Sequence, residues 1–166
     1  LNNKIVSMKQ IDLTTKITVY SYDECTEVEK SLIDAAKEAT SNAYVPYSKF
    51  HVGAALLLEN GKIITGNNQE NAAYPSGLCA ERTAVFYANA QYPDQKIEAL
   101  AVAAFYNGKF TDDLISPCGS CRQVLLEVES RYNSPVKIML YKNGEVYVAE
   151  SMSSLMPLSF TKDALE

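Results

Sequence analysis

Between residues 26 and 43 apolar side chains recur at helical spacing, at Val28, Leu32, Ala35, Ala36, Ala39 and Ala43. Thr26 followed by Glu29 is a capping-box pattern, and Pro46 has no backbone donor to give a helix interior, so a helix is predicted that stops before it. The stretch 50–58 is apolar at both alternating sets of positions, as expected of a strand covered on both faces. Asn60-Gly61 then turns the chain into a partner strand over 62–66. Residues 79–91 and 118–132 read as helices, and 97–106, 136–141 and 145–149 as strands, the last two joined at Asn143-Gly144. This order predicts an α/β fold, a three-layer α/β/α sandwich around a mixed five-stranded sheet. Ahead of it, Ile11, Leu13, Thr15, Ile17 and Val19 alternate with polar residues and predict one further strand at a sheet edge or subunit contact. Residues 1–23 are thus expected to be an N-terminal extension and 24–166 a single domain.

The 166 residues carry 15 Lys and Arg against 20 Asp and Glu, a net charge of −5. That balance lacks the long-range attraction of a polynucleotide or anionic-membrane binder, so neither nucleic acid nor membrane is an expected partner. The longest apolar run is eight residues, 99–106, well below the roughly 20 of a membrane-spanning helix. The first twenty residues hold no signal-peptide pattern, and a cytoplasmic location is expected. In such a compartment the four cysteines are better suited to metal ligation or thiol chemistry than to disulfides. No phosphate-cradling glycine loop is present.

Chemistry concentrates in two short stretches, Cys79-Ala80-Glu81 and Pro117-Cys118-Gly119-Ser120-Cys121, each at a predicted helix start. Helix N-termini favour negative charge and thiolates, and residues three apart share one face of the first turn. Three thiolates from two helix starts suit a tetrahedral zinc site whose fourth position stays open for water. Glu81, two residues after Cys79, is placed to exchange protons with that water. Taken alone, Cys118 and Cys121 could equally be a redox pair or half of a zinc ribbon, but no second CxxC exists to complete a ribbon. Arg82 reads either as a surface ion-pair partner or as a cation offsetting the −1 sum of three thiolates and Zn²⁺.

The spacing C-x-E followed by P-C-x-x-C resembles the signature of zinc nucleobase deaminases. Together with Tyr47-Ser48-Lys49-Phe50-His51-Val52-Gly53-Ala54-Ala55, Asn68-Gln69-Glu70-Asn71-Ala72-Ala73-Tyr74 and Cys121-Arg122-Gln123-Val124, it makes residues from about 28 to 161 similar to cytidine deaminases, specifically the small, three-cysteine, homotetrameric branch. The resemblance implies a cytidine deaminase-like fold, with 24–166 as the catalytic domain. It implies hydrolysis of cytidine and 2′-deoxycytidine to uridine and 2′-deoxyuridine with release of ammonia, a step of pyrimidine salvage.

By the same resemblance Cys79, Cys118 and Cys121 bind one Zn²⁺ per subunit and Glu81 is the catalytic proton shuttle. Asn68 and Glu70 match residues that hold the ribose 3′-hydroxyl, Phe50 matches an aromatic packed on the pyrimidine, and the Ala80 backbone meets its edge. Arg82 matches the arginine that supports the sulfurs. Phe160, in the tail 155–160, matches a side chain that covers the base in a neighbouring subunit, and Tyr74 falls in a stretch used at subunit contacts. From the residues alone, Asn68 could simply turn the chain after a strand, and Phe50 could be core. His51, the single histidine, alternates away from Phe50 and is expected to be structural. Two other readings remain: a zinc deaminase of another small aminopyrimidine, or a non-catalytic zinc-stabilised interaction domain. Glu70 favours a free nucleoside over a nucleotide because its carboxylate would repel a nearby phosphate.

Overall fold

Helix α1 (Glu27–Ala39) starts where Thr26 Oγ1 accepts from the Glu29 amide at 3.3 Å while Glu29 Oε2 accepts from the Thr26 amide at 2.9 Å, the reciprocal cap expected from the sequence. It ends at Ala39, short of Ala43. The Thr40 and Ser41 hydroxyls donate back to the Lys37 and Glu38 carbonyls at 2.7 and 2.8 Å, and the chain tightens into a 3₁₀ turn over Thr40–Asn42. The structure, a computed structural model, describes residues 8–165.

Seven strands form one mixed sheet: β1 (Thr18–Ser21), β2 (His51–Leu58), β3 (Ile63–Asn67), β4 (Ile97–Tyr106), β5 (Lys109–Phe110), β6 (Lys137–Lys142) and β7 (Glu145–Ala149). Their order is β1-β7-β6-β4-β2-β3, with β5 paired to β4. All neighbours are antiparallel except β4 and β6, whose parallel register runs from Ala99 opposite Lys137 to Val102 opposite Leu140. A parallel pair needs a crossover, and α3 (Gly119–Tyr132) supplies it; α2 (Ala80–Gln91) makes the other crossover, from β3 to β4.

The period-2 arrangement of β4 divides the core. Leu100 and Val102 pack with Ala84, Val85 and Ala88 of α2 and Leu125, Leu126 and Val128 of α3. Ala99, Ala101 and Ala103 face Leu32, Ile33 and Ala36 of α1. With α1 on one face and α2 and α3 on the other, the three-layer sandwich is as expected.

The strand count differs from five, and the reasons are local. Strand β5 exists because Asn107 (φ 51°) and Gly108 (φ 81°) both take positive φ and fold the end of β4 into a tight hairpin. At the N-terminus only Thr18–Ser21 of the alternating run pairs, with Thr18 opposite Val148. Strand β7 ends one residue later, at Ala149, so residues 11–17 have no strand to join on that side. The expected strand over 11–19 is therefore shortened to β1, and residues 1–7 of the extension lie outside the described residues. Among the described residues no helix is long and apolar enough to cross a membrane.

Candidate active site

Close packing of α2 on the sheet sets the position of its first turn. A Cβ on Gly66 of β3 would lie 2.6 Å from the Ala80 carbonyl oxygen and 2.5 Å from the Ala84 amide nitrogen, so only glycine lets the helix come this near. Cys79 is the N-cap of that helix, with Ala80 and Glu81 both buried in its first turn. Cys118 is the N-cap of α3 behind Pro117, and Cys121 lies in the first turn of the same helix.

Neither N-cap cysteine caps its own helix; their side chains turn toward each other. Cys79 Sγ is 3.7 Å from Cys118 Sγ, Cys118 Sγ is 3.5 Å from Cys121 Sγ, and all three sulfurs lie within 4.8 Å of one another. Zinc–sulfur bonds of about 2.3 Å at tetrahedral angles put sulfurs about 3.8 Å apart, so the trio fits a zinc ion. Among the described residues no other three Cys, His, Asp or Glu side chains bring donor atoms this close. His51 is not part of it: Nδ1 lies 3.2 Å from the Thr40 carbonyl oxygen and the ring stands edge-on to Phe105.

Charge at the cluster is uneven. Hydrogen bonding from the Cys121 thiol, reinforced by Arg82 and Cys118, pulls the Cys79 thiol well below its ordinary pKa. The Cys79 thiolate and burial push Cys121 up. Arg82 Nη2 lies 3.8 Å from Cys79 Sγ, whereas its buried Nε has no partner among the described residues. Burial, helped by the neighbouring Cys79 thiolate, raises the Glu81 carboxyl.

Beside the sulfurs a cavity of about 480 Å³ is lined by Cys79, Arg82, Asn68, Glu70, Tyr47 and Tyr74, among others. Glu70 Oε2 accepts from the Tyr47 and Ser48 amides at 2.9 and 3.2 Å, and hydrogen bonds from Ser48 keep the carboxyl below its usual range. Asn68 Oδ1 accepts from the Val52 amide at 2.8 Å, and Nδ2 donates one of its two hydrogens to the Phe50 carbonyl at 2.9 Å. Asn68 thus braces the entry to β2 as well as facing the cavity. Phe50 and Phe160 do not line it. The Phe50 ring packs against Tyr106 at 5.7 Å, and Phe160 is 59% exposed while its carbonyl accepts from Gln123 Nε2 at 3.0 Å.

With this geometry in place, residues 26–133 match the cytidine and deoxycytidylate deaminase zinc-binding region. The chain belongs to that family. It is 45% identical to the cytidine deaminase of Sporosarcina psychrophila over 139 residues, which are 84% of this chain and 95% of that protein. It is 39% identical to the enzyme of Halalkalibacterium halodurans over 80% of this chain and 93% of that one. The crystal structure of cytidine deaminase from Burkholderia pseudomallei superposes with a TM-score of 0.69 at 40% identity, covering 82% of this chain and 100% of that chain. Membership brings a zinc-binding deaminase domain, and the three cysteines are placed to hold that metal.

Two side chains brace the surroundings of the site in ways that motif reading does not assign. Arg122 donates from Nε to the Pro117 carbonyl at 2.8 Å, from Nη2 to Ser116 Oγ at 2.8 Å and from Nη1 to the Leu155 carbonyl at 2.7 Å. Glu129, buried on α3, accepts from the Val136, Met152 and Ser153 amides at 2.8, 2.6 and 3.0 Å. Its signal in the sequence is a carboxylate at helical spacing with the buried Leu125, Leu126 and Val128. Arg122 stands in the motif Cys121-Arg122-Gln123-Val124, but nothing in that spacing names Leu155, 33 positions on, as the third acceptor of its guanidinium.

Proposed function

We propose that this chain is a cytidine deaminase of pyrimidine salvage, hydrolysing cytidine and 2′-deoxycytidine to uridine and 2′-deoxyuridine with release of ammonia. The observation that carries the reading is the convergence of Cys79, Cys118 and Cys121 beside the buried Glu81, in a chain 45% identical to a curated cytidine deaminase.

Cys79, Cys118 and Cys121 would hold one zinc per subunit. When bound, zinc supplies a Lewis acid that makes water acidic enough to be a nucleophile near neutral pH. Glu81 takes one proton of the attacking water and passes it to ring N3 as the oxygen bonds to C4, then takes the second from the new C4 hydroxyl and delivers it to the 4-amino group as the C4–N bond breaks, so cytidine and water give uridine and ammonia. Burial suits this task because it keeps bulk water from competing for the proton. The Ala80 backbone meets the pyrimidine edge. Asn68 and Glu70 hold the ribose 3′-hydroxyl: Nδ2 of Asn68 keeps a second hydrogen, and one oxygen of Glu70 lies outside the bonds to Tyr47 and Ser48. Glu70 also disfavours a 5′-phosphate by repulsion. Arg82 offsets the negative charge of the sulfurs.

Phe50, outside the cavity lining but tied through its carbonyl to the lining residue Asn68, packs on the base on binding, and Phe160 reaches the site of a neighbouring subunit in a homotetramer, with Tyr74 at the contact. Exposure supports this placement: Phe160 lies outside its own chain's cavity and Tyr74 is 76% exposed at the rim. Residues 24–166 form the catalytic domain and 1–23 the extension. The enzyme works in the cytoplasm on a small molecule, with neither nucleic acid nor membrane as partner; its free thiols and net charge of −5 support that setting.

The test is the loss of cytidine's ultraviolet absorbance with zinc-loaded protein, against Glu81→Gln. Conversion by the native chain and none by the variant, with zinc retained in both, is the expected result. Zinc retained without any conversion of cytidine would sink the nucleoside assignment while leaving the metal site.

A further inference from the structure

Ahead of β1 the chain carries an apolar face that nothing among the described residues covers. Ile11, Leu13, Ile17 and Val19 share one parity and are between 41% and 70% exposed. Strand β7 pairs only with Thr18–Ser21, and among the described residues 8–17 make no backbone–backbone hydrogen bond, so this stretch is open along both edges. Among the described residues one hydrogen bond ties the segment to the domain, from Thr15 Oγ1 to the Ser154 carbonyl at 2.5 Å. Open edges with alternating apolar side chains are templates for another strand. The segment lies ahead of the deaminase match, which begins at residue 26.

Its own sequence names the partner. Read antiparallel against itself about Thr14, the run Ile11-Asp12-Leu13-Thr14-Thr15-Lys16-Ile17 is self-complementary. Asp12 falls opposite Lys16, Ile11 opposite Ile17 and Gln10 opposite Thr18, and the two-fold symmetry makes each pair twice. Opposite charges and apolar pairs directly across an antiparallel ladder are stabilising, whereas like charges are not. Shifting the register by two residues in either direction sets Asp12 opposite Thr14 or Thr18 and leaves the charges of both strands unpaired. An in-register parallel pair would put Asp12 beside Asp12 and Lys16 beside Lys16. Asp12 and Lys16 are both exposed, and neither forms an ion pair among the described residues.

We propose that residues 10–18 are a homotypic docking strand, pairing antiparallel with the same segment of a second copy of this chain about a two-fold axis at Thr14. The contact extends each sheet beyond β1 and brings the two apolar faces side by side. It is separate from the catalytic assignment and is tested without substrate.

Register-specific cross-linking decides it, on full-length zinc-loaded protein with oxidised glutathione and native chain as the background for its own thiols. Thr14→Cys places two thiols across the axis and is expected to give a disulfide-linked two-chain product several-fold above that of Gln10→Cys, which faces Thr18. Adding Asp12→Lys sets lysines opposite lysines and is expected to abolish most of the product; adding Lys16→Asp as well restores it. A Thr14→Cys product no greater than the Gln10→Cys one overturns the pairing, as does a product indifferent to charge reversal. Loss in Asp12→Lys that the second reversal fails to recover also overturns it, because the segment then docks on something other than its own copy.

Discussion

Arg122 Nη1 holds the carbonyl oxygen of Leu155 at 2.7 Å while the same guanidinium grips Pro117 and Ser116, the residues leading into Cys118. One side chain thus ties the loop before a sulfur donor to the tail that runs on to Phe160. Lysine keeps the charge but cannot reach three acceptors in one plane. Arg122→Lys is expected to lose about 1–3 kcal/mol of stability and to release zinc to a chelator faster than the native chain. Native-like melting and zinc release would show that the tie has no bearing on the site.

Arg82→Gln is a contrasting case. Its contact is with Cys79 Sγ at 3.8 Å, so the change removes a positive charge from beside the sulfurs without opening the core. The expected outcome is an unchanged fold with weaker zinc retention or slower turnover, measured by metal content and initial rate. If both stay at the native level, charge compensation by Arg82 is wrong.

Gly66→Ala probes the docking of α2. The added methyl would meet backbone atoms at 2.5 and 2.6 Å, which flexible side chains cannot relieve. About 1–3 kcal/mol of destabilisation in urea is expected. Turnover should fall as well, because Cys79 and Glu81 ride on the displaced turn. A fall in stability with an unaltered rate per folded molecule would separate the helix position from the chemistry.

The acid limb of stability should carry the mark of Glu29. Burial pushes its carboxyl up, but the Thr26 amide and hydroxyl and the Lys137 ammonium at 3.1 Å more than reverse that, leaving it below its ordinary value. Its contribution is therefore complete above the unfolded value of about 4.3 and is lost as pH falls through the lower folded value. Lys137→Met should cost under about 1 kcal/mol at neutral pH, the pair being partly exposed. The gap to the native chain should close below roughly pH 4. A gap unchanged between neutral and strongly acidic pH would contradict the assignment.

The layers, the three helices and the sulfur trio were legible because each rests on local pattern: period 2 or 3.6, Asn-Gly turns, a capping box and cysteines at two helix starts. Asn107-Gly108 carried the same turn signal as Asn60-Gly61, yet the two-residue β5 it produces is too short for any periodicity to announce. The N-terminal run foretold the edge strand β1 but not its extent. Its alternation over 11–19 reports an apolar face without saying that β7 covers it, and β7 ends before residues 11–17 can pair with it. Glu129 and Arg122 act on residues up to 24 and 33 positions away, so their roles depend on tertiary contacts that spacing does not encode.

The two helix starts that furnish the sulfurs are separated by 38 residues of chain, from Cys79 to Cys118. An ion shared between them is therefore also a staple, closing a loop that spans α2 and the whole of β4. By chain-entropy reasoning a cross-link over such a loop restrains the unfolded ensemble by on the order of 4 kcal/mol. Stripping the metal should thus lower the melting temperature as well as silence the enzyme. Where metal is scarce, the population of folded chain then becomes a readout of zinc supply.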